Sequence, residues 1–151
     1  MIEIILNLIL LMIFVYIIWI DCKFRKIYNK TLGYLMICLV LRLNYVFWNI
    51  NIIGMSLLIN SIIFIIIYYL SKGLGAGDVK LAMVLALYCP YPNCILAIYL
   101  SFIIGGLVAL ICLVLLKNSK NIPFAPILIL GNYLANNYAD EILLYWFEVI
   151  I

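Results

Sequence analysis

The amino-acid sequence predicts an all-α membrane protein, a polytopic bundle of six transmembrane helices with two cytosol-facing aspartates near helix ends. Three observations lead to this class. Hydrophobic residues make up 70% of the 151 residues and charged residues only 10%, whereas a soluble domain is about 25% charged. Six crossings of about 20 residues each use nearly the whole chain and leave room only for short loops. Finally, Lys and Arg concentrate in alternate loops, as they do in multi-pass membrane proteins.

The same composition excludes several classes of function. The net charge of +3 is too small, and the cations too scattered, for a nucleic-acid-binding face. The chain contains no histidine, which excludes Ser-His-Asp and Cys-His catalysis and the HExxH metal site. No cysteine pair has the spacing of zinc ligands, so we expect neither a metal nor a cofactor. Any catalysis must come from carboxylates, Lys, Tyr, Ser or Cys.

The first three spans are predicted at about residues 4–20, 31–48 and 50–70, each an apolar run long enough to cross the bilayer. The first run follows no basic segment and precedes no small-residue cleavage site. We therefore expect an uncleaved span rather than a signal peptide.

The apolar region 81–116 is too long for one ordinary span, and Pro90 and Pro92 interrupt it. We interpret it as parts of a fourth span, about 78–91, and a fifth span that meet at a turn over residues 89–94. Cys94 is interpreted, together with Cys22, Cys38 and Cys112, as a small buried hydrophobic residue. Because Cys89 and Cys94 flank the turn, a disulfide between them is the alternative.

The sixth span is predicted at about 122–138, which makes residues 1–138 a single membrane domain. The remaining tail, 139–151, is too short to cross the bilayer. We expect it to form an interfacial segment anchored by Tyr145 and Trp146.

The cations predict the orientation of the bundle. Eight of the nine fall in the first, third and fifth loops: Lys23, Arg25, Lys26, Lys30, Lys72, Lys80, Lys117 and Lys120. Because cytoplasmic loops are enriched in Lys and Arg, these loops are expected in the cytosol and both termini outside. The exception is Arg42, which either extends to the outer interface or pairs with a buried carboxylate; we favour the first interpretation.

This topology separates two of the six acids from the others. Asp21 ends the first span and Asp78 opens the fourth, so both lie at the cytosolic boundary. The other acids fall on the outer side: Glu3, Asp140, Glu141 and Glu148. Two carboxylates that converge can share a proton, and one then acts as general base on a water while the other acts as general acid. The alternative is structural, with Asp21 as a helix-end charge and Asp78 as a helix N-cap.

Three glycines, Gly73, Gly75 and Gly77, alternate just before Asp78. Glycine permits unusual backbone dihedral angles and the close approach of another backbone. A loop with few side chains would leave room for an extended peptide beside the acids. The alternative is an ordinary glycine turn between two spans, and the spacing is not that of a dinucleotide-binding loop.

At these residues the sequence resembles a known family. The segment 75–80, GAGDVK, resembles the G-x-G-D-x-K signature of bacterial type IV prepilin peptidases, which belong to the wider group of GxGD intramembrane aspartic peptidases. Asp21 followed by 27–29, IYN, resembles the family's Asp and Ile-Pro-Asn motif, with Tyr28 in place of the usual proline. The segment 122–126, IPFAP, resembles the motif that opens the last span of the family.

The resemblance implies catalytic roles for Asp21 and Asp78. Four residues would shape the site: Asn29, Gly75, Gly77 and Lys80. The implied activity is cleavage of prepilin or pseudopilin leader peptides at the cytosolic face of the bacterial cytoplasmic membrane. The first loop is too short for the paired CxxC region that larger members use for N-methylation. The chain therefore resembles the compact peptidases of tight-adherence pilus systems, without methyltransferase activity.

Two functions from other classes are alternatives to this one. The first is a small proton- or ion-coupled transporter that uses the two aspartates as a relay. It predicts acids near the middle of the membrane and an inverted repeat, and the sequence has neither. The second is a non-catalytic assembly subunit, which would function without either aspartate.

Overall fold

The computed structural model describes residues 2–46, 49–71, 74–116 and 122–150. Over these residues the chain is all-helical, without a strand, which confirms the predicted all-α class. Its helices are α1 (Ile2–Phe24), α2 (Asn29–Val46), α3 (Ile50–Ser71), α4 (Ala76–Leu85), α5 (Asn93–Leu116) and α6 (Ala125–Ile150).

Within the described residues, three helices are long and apolar enough to cross a membrane, namely α1, α3 and α5. They indicate a membrane protein. Polar and charged residues, among them Lys30 and Arg42, make α2 less apolar. The ten residues of α4 extend about 15 Å, half the thickness of the hydrocarbon core. The count of six crossings thus stays a prediction.

The fourth helix is shorter than the predicted span 78–91. Beyond Leu85 the chain tightens into turns, where the Leu87 N–H donates to the Val84 carbonyl at 3.1 Å and the Tyr88 N–H to the Leu85 carbonyl at 2.9 Å. Such bonds to the third preceding residue are typical of a helix that is ending. Hydropathy missed this end because the turn residues are as apolar as the helix itself.

The first helix is longer than predicted and continues through Asp21 to Phe24. It ends at Arg25, whose φ of 52° lies in the left-handed region. The Arg25 N–H donates to the Asp21 carbonyl at 2.9 Å, a geometry typical of a helix C-terminus. Asp21 therefore lies in the last turn of α1.

α6 continues past the predicted end of the sixth span, with non-helical backbone at Tyr138 (φ −126°, ψ 16°). The predicted interfacial tail is thus joined to the span by a kinked helix. Several predicted features lie outside the described residues: the end of span two at Trp48, the cations Lys72, Lys117 and Lys120, Gly73, and the side chains of Tyr145 and Trp146.

The buried core is apolar and contains residues from α1, α2, α4 and α6. Its most enclosed members include Ile17, Leu35, Leu81, Leu85 and Leu128. Two of these belong to α4, which packs against α2, α3 and α6. The short helix that begins beside Asp78 is therefore held in place by the rest of the bundle, and apolar side chains also cover much of the outer surface.

The turn between α4 and α5 encloses Cys89 and Cys94. Both thiols are fully buried and free in the structure, not joined in a disulfide. Burial of Cys94 and Cys38 agrees with their interpretation as small buried hydrophobic residues, whereas Cys22 is exposed and Cys112 is half-buried.

Candidate active site

Asp21 is positioned by α1 and is only 5% exposed. Its Oδ2 accepts a hydrogen bond from the backbone N–H of Ala125 at 3.1 Å. Ala125 is the first residue of α6, where backbone N–H groups have no partner within the helix and the dipole favours negative charge. The first and last helices of the chain therefore meet at this carboxylate.

Asp78 is the third residue of α4 and lies beside the residue that caps this helix. Gly75 is the N-cap. Its N–H donates to Asp78 Oδ2 at 3.3 Å, and its carbonyl accepts from the Asp78 N–H at 3.0 Å. The alternative that Asp78 is itself the N-cap is wrong by this geometry. Asp78 instead accepts from the cap, in the manner of the third residue of a capping box.

The two carboxylates are close enough to influence each other. Asp78 lies outside the three candidate spans, and its pKa is raised to about 6, first by burial and then by the negative charge of Asp21. The hydrogen bond from the Gly75 N–H acts in the opposite direction. Two acids that repel in this way share a proton over part of the pH range.

This coupling predicts the effect of Asp21→Asn on the titration of Asp78. Removing the neighbouring charge should lower the pKa of Asp78 from about 6, but not to the ordinary 3.8, because burial is the larger cause. Carbon NMR of protein labelled at aspartate carboxyls would measure this shift. Asp140→Asn, in an exposed acid of α6, is the control and should leave Asp78 unchanged. An equal titration curve in both variants would show that Asp21 and Asp78 do not interact.

At both described glycines of the site, a neighbouring atom leaves little space for a side chain. A Cβ on Gly75 would lie 3.0 Å from Asp78 Oδ2, and a Cβ on Gly77 would lie 3.3 Å from the Cβ of Ile27. Neither glycine has a positive φ, so unusual dihedral angles are not the reason for them. Close approach is the reason, because Gly77 lets the segment between α1 and α2 pack against the first turn of α4.

Lys80 and Asn29 form a second contact between α4 and this part of the chain. Lys80 Nζ donates to Asn29 Oδ1 at 3.2 Å, although the two residues are 51 positions apart. The bond joins α4 to the first residue of α2. The structure thus brings together the four predicted site-shaping residues in two groups, one glycine pair beside Asp78 and one polar pair between the helices.

A cavity of about 460 Å³ lies beside Asn29, between α1 and α2. Its lining is largely aromatic and polar: Ile13, Tyr16, Tyr28, Asn29, Lys30, Thr31 and Tyr34. The part of the chain that the structure describes contains no group of three or more Cys, Asp or Glu placed to hold a metal ion. The chemistry available at the site is that of two carboxylates.

The sequence assigns no role to Ala125, which donates to Asp21. Motif resemblance singles out the segment that contains Ala125, but only for its place at the start of the last span. Pro126 is the local sequence signal for the start of a helix, since proline is favoured in the first turn. A helix N-terminus offers backbone donors to an anion, but the sequence does not show which carboxylate it meets.

Comparison with known proteins identifies the family of this chain. The type IV leader peptidase family matches residues 8–110, more than half of the chain. The matched region contains both aspartates and the segment 75–80, and it ends before α6. Neither the curated proteins nor the solved structures yield a match. Because the match covers more than half of the chain, it shows that the chain belongs to the type IV leader peptidase family.

Proposed function

We propose that this protein is a membrane aspartic endopeptidase that cleaves the leader peptides of type IV prepilins or pseudopilins. The observation that carries the proposal is the electrostatic interaction between Asp21 and Asp78, from two different helices, in a member of a leader peptidase family. Two interacting carboxylates are sufficient to activate a water for peptide hydrolysis without histidine or metal.

In the proposed mechanism the two aspartates have different roles. Asp21 is the ionised member, because the Ala125 N–H at the start of α6 stabilises its negative charge. Asp78, with its pKa raised to about 6, is the acid that is protonated in the reactive fraction of the molecules. Asp21 removes a proton from the attacking water, and Asp78 donates its proton to the oxygen of the scissile carbonyl. As the tetrahedral intermediate collapses, Asp21 returns its proton to the leaving nitrogen and Asp78 takes back a proton from a hydroxyl group of the intermediate. The leader is released with a new carboxyl terminus and the mature protein with a new amino terminus.

The remaining site residues would act by holding the acids in place. The Lys80–Asn29 bond fixes α4 against α2, and Gly77 allows the segment after α1 to approach it. The cavity beside Asn29 is a suitable place for the substrate chain, because it combines tyrosine rings with hydrogen-bonding groups.

The proposed setting is the bacterial cytoplasmic membrane. In this proposal residues 1–138 form one six-span domain with loops one, three and five in the cytosol and both termini outside, and 139–151 form an interfacial tail. The acids then face the cytosol, where a leader peptide is accessible before export. Only residues 25–28 separate α1 from α2, too few for a methyltransferase region, so we propose a peptidase alone.

Co-expression with a candidate prepilin tests this function. Cleavage should reduce the mass of the prepilin by that of its leader, and purified protein in liposomes should produce the same products. A proton or ion flux that requires Asp78, without any peptide cleavage, would instead support the alternative that this protein is a small transporter.

Gly75→Ala tests the geometry of the proposed acid. The new methyl group would lie 3.0 Å from Asp78 Oδ2 and should displace the carboxylate. Because small misplacements of a reacting group are costly, we expect kcat/KM for leader cleavage to fall about tenfold. Gly54→Ala in α3 is the control, since a Cβ there meets nothing within 4 Å. Equal activity in both variants, with both proteins folded, would contradict the assigned position of Asp78.

A further inference from the structure

Among the described residues, the groups that contact the Arg42 guanidinium in α2 are uncharged. Its Nε donates to Asn7 Oδ1 at 3.2 Å, and its Nη1 donates to the Tyr88 carbonyl at 3.5 Å. The guanidinium carbon lies 5.0 Å from the centre of the Tyr88 ring. A guanidinium has five N–H donors, so these two bonds leave three of them for another acceptor.

Arg42 and its hydrogen-bond partner Asn7 lie at the end of the bundle opposite the two aspartates. Along α1, Asn7 precedes Asp21 by about 20 Å, and along α2, Arg42 follows Asn29 by about 20 Å. The hydrocarbon core of a bilayer is about 30 Å thick. A group about 20 Å from one interface lies about 10 Å inside the other, and a long Arg side chain extends from that depth toward the headgroups.

Cavities of about 240 Å³ and 360 Å³ flank the guanidinium, and both are lined by Arg42 and Tyr88. The smaller cavity also has Asn7, Tyr133 and Asn137 in its wall, all of which carry hydrogen-bond donors. None of the described residues that line either cavity is an Asp or a Glu. The interior is therefore electropositive and rich in donors.

The smaller cavity is open at its side. Asn7, Tyr133 and Asn137 are exposed, whereas the Tyr88 ring behind them is buried. Asn137 is also oriented, since its Nδ2 donates to the Tyr133 carbonyl at 2.8 Å. A ligand that lies in the interface could thus enter sideways, without passing through the bundle.

We propose that this cavity is a binding site for a phosphate-bearing anion, with Arg42 as its principal ligand. Guanidinium matches two oxygens of a phosphate at once. An Arg without a carboxylate partner in apolar surroundings gains most from such an anion. The headgroup of an acidic phospholipid and inorganic phosphate share this chemistry. The site is separate from the aspartates, so it does not depend on the proposed peptidase activity.

Native mass spectrometry of the purified full-length protein in neutral detergent tests the proposal. One series adds phosphatidylglycerol, and a second adds inorganic phosphate alone. Arg42→Gln should weaken binding about tenfold or more, because it removes a charge-assisted bidentate contact. Lys23→Gln is the matched control, since Lys23 lies at the opposite end of α1 over the rings of Trp19 and Phe24.

Each outcome of these binding measurements either supports or overturns the proposal. Loss of phosphatidylglycerol binding in Arg42→Gln but not in Lys23→Gln supports a lipid headgroup, and the same pattern with phosphate alone supports a free anion. Equal binding of both probes by wild type and Arg42→Gln overturns the proposal. If Arg42→Gln does not fold, Arg42→Lys keeps the charge but not the bidentate geometry. Affinity at the wild-type level in that variant also overturns it.

Discussion

Asp21→Asn is expected to abolish leader cleavage, a loss of about a thousandfold or more. The amide cannot accept a proton from the attacking water at neutral pH. It can still accept the Ala125 N–H bond that Asp21 Oδ2 accepts at 3.1 Å. The fold should therefore persist, and the variant should remain in the membrane while a co-expressed prepilin keeps its full mass.

Asp78→Asn should lose activity to the same extent, because it removes the proposed proton donor. Its amide oxygen can still accept from the Gly75 N–H at the start of α4. Asp140→Asn is the matched control, since it makes the same change in an exposed acid of α6. Full processing of the prepilin by either Asp21→Asn or Asp78→Asn would refute the catalytic pair.

Gly131→Ala is expected to have the largest effect on stability. α5 and α6 pack closely where Gly131 meets Ser101. A Cβ on Gly131 would lie 2.8 Å from the Ser101 backbone nitrogen and 2.9 Å from its Cα, and it would also contact Ser101 Oγ. Since backbone atoms cannot rotate away, the helices must separate, which costs about 1–3 kcal/mol or more.

Thermal unfolding in detergent micelles measures this effect. Gly106→Ala in α5 is the control, because a Cβ there meets nothing within 4 Å. An alanine within a helix is about 0.5–1 kcal/mol more favourable than a glycine, so the control should unfold at the same or a higher temperature. A Gly131→Ala protein as stable as the Gly106→Ala protein would show that the close contact between α5 and α6 does not exist.

Much of the helical order could be predicted from the sequence. The predicted span 50–70 differs from α3 (Ile50–Ser71) by one residue, because polar residues bound a predominantly apolar run there. The end of α4 at Leu85 could not be predicted, since Ala86, Leu87 and Tyr88 continue the same apolar pattern. A hydropathy profile reports only how apolar a segment is, so a buried helix and a buried turn give the same signal.

The candidate site was predictable to a similar degree. The scarcity of charge and the alternation of basic loops are enough to single out Asp21 and Asp78 from the other acids. The bond from Ala125 to Asp21 spans 104 positions, and no local pattern encodes a contact over that distance. The role of Gly77 also required the structure, because only the position of Ile27 shows that space, and not backbone freedom, demands a glycine there.

The hydrogen bond between the first and last helices also has a consequence for biosynthesis. Asp21 leaves the ribosome early, but its Ala125 donor follows more than a hundred residues later. A nascent chain that contains α1 to α5 has both aspartates and lacks the N–H that holds one of them. The hydrogen bond to Asp21 is therefore completed only when α6 has been made, so a truncated or stalled chain would contain both acids without the Ala125 donor.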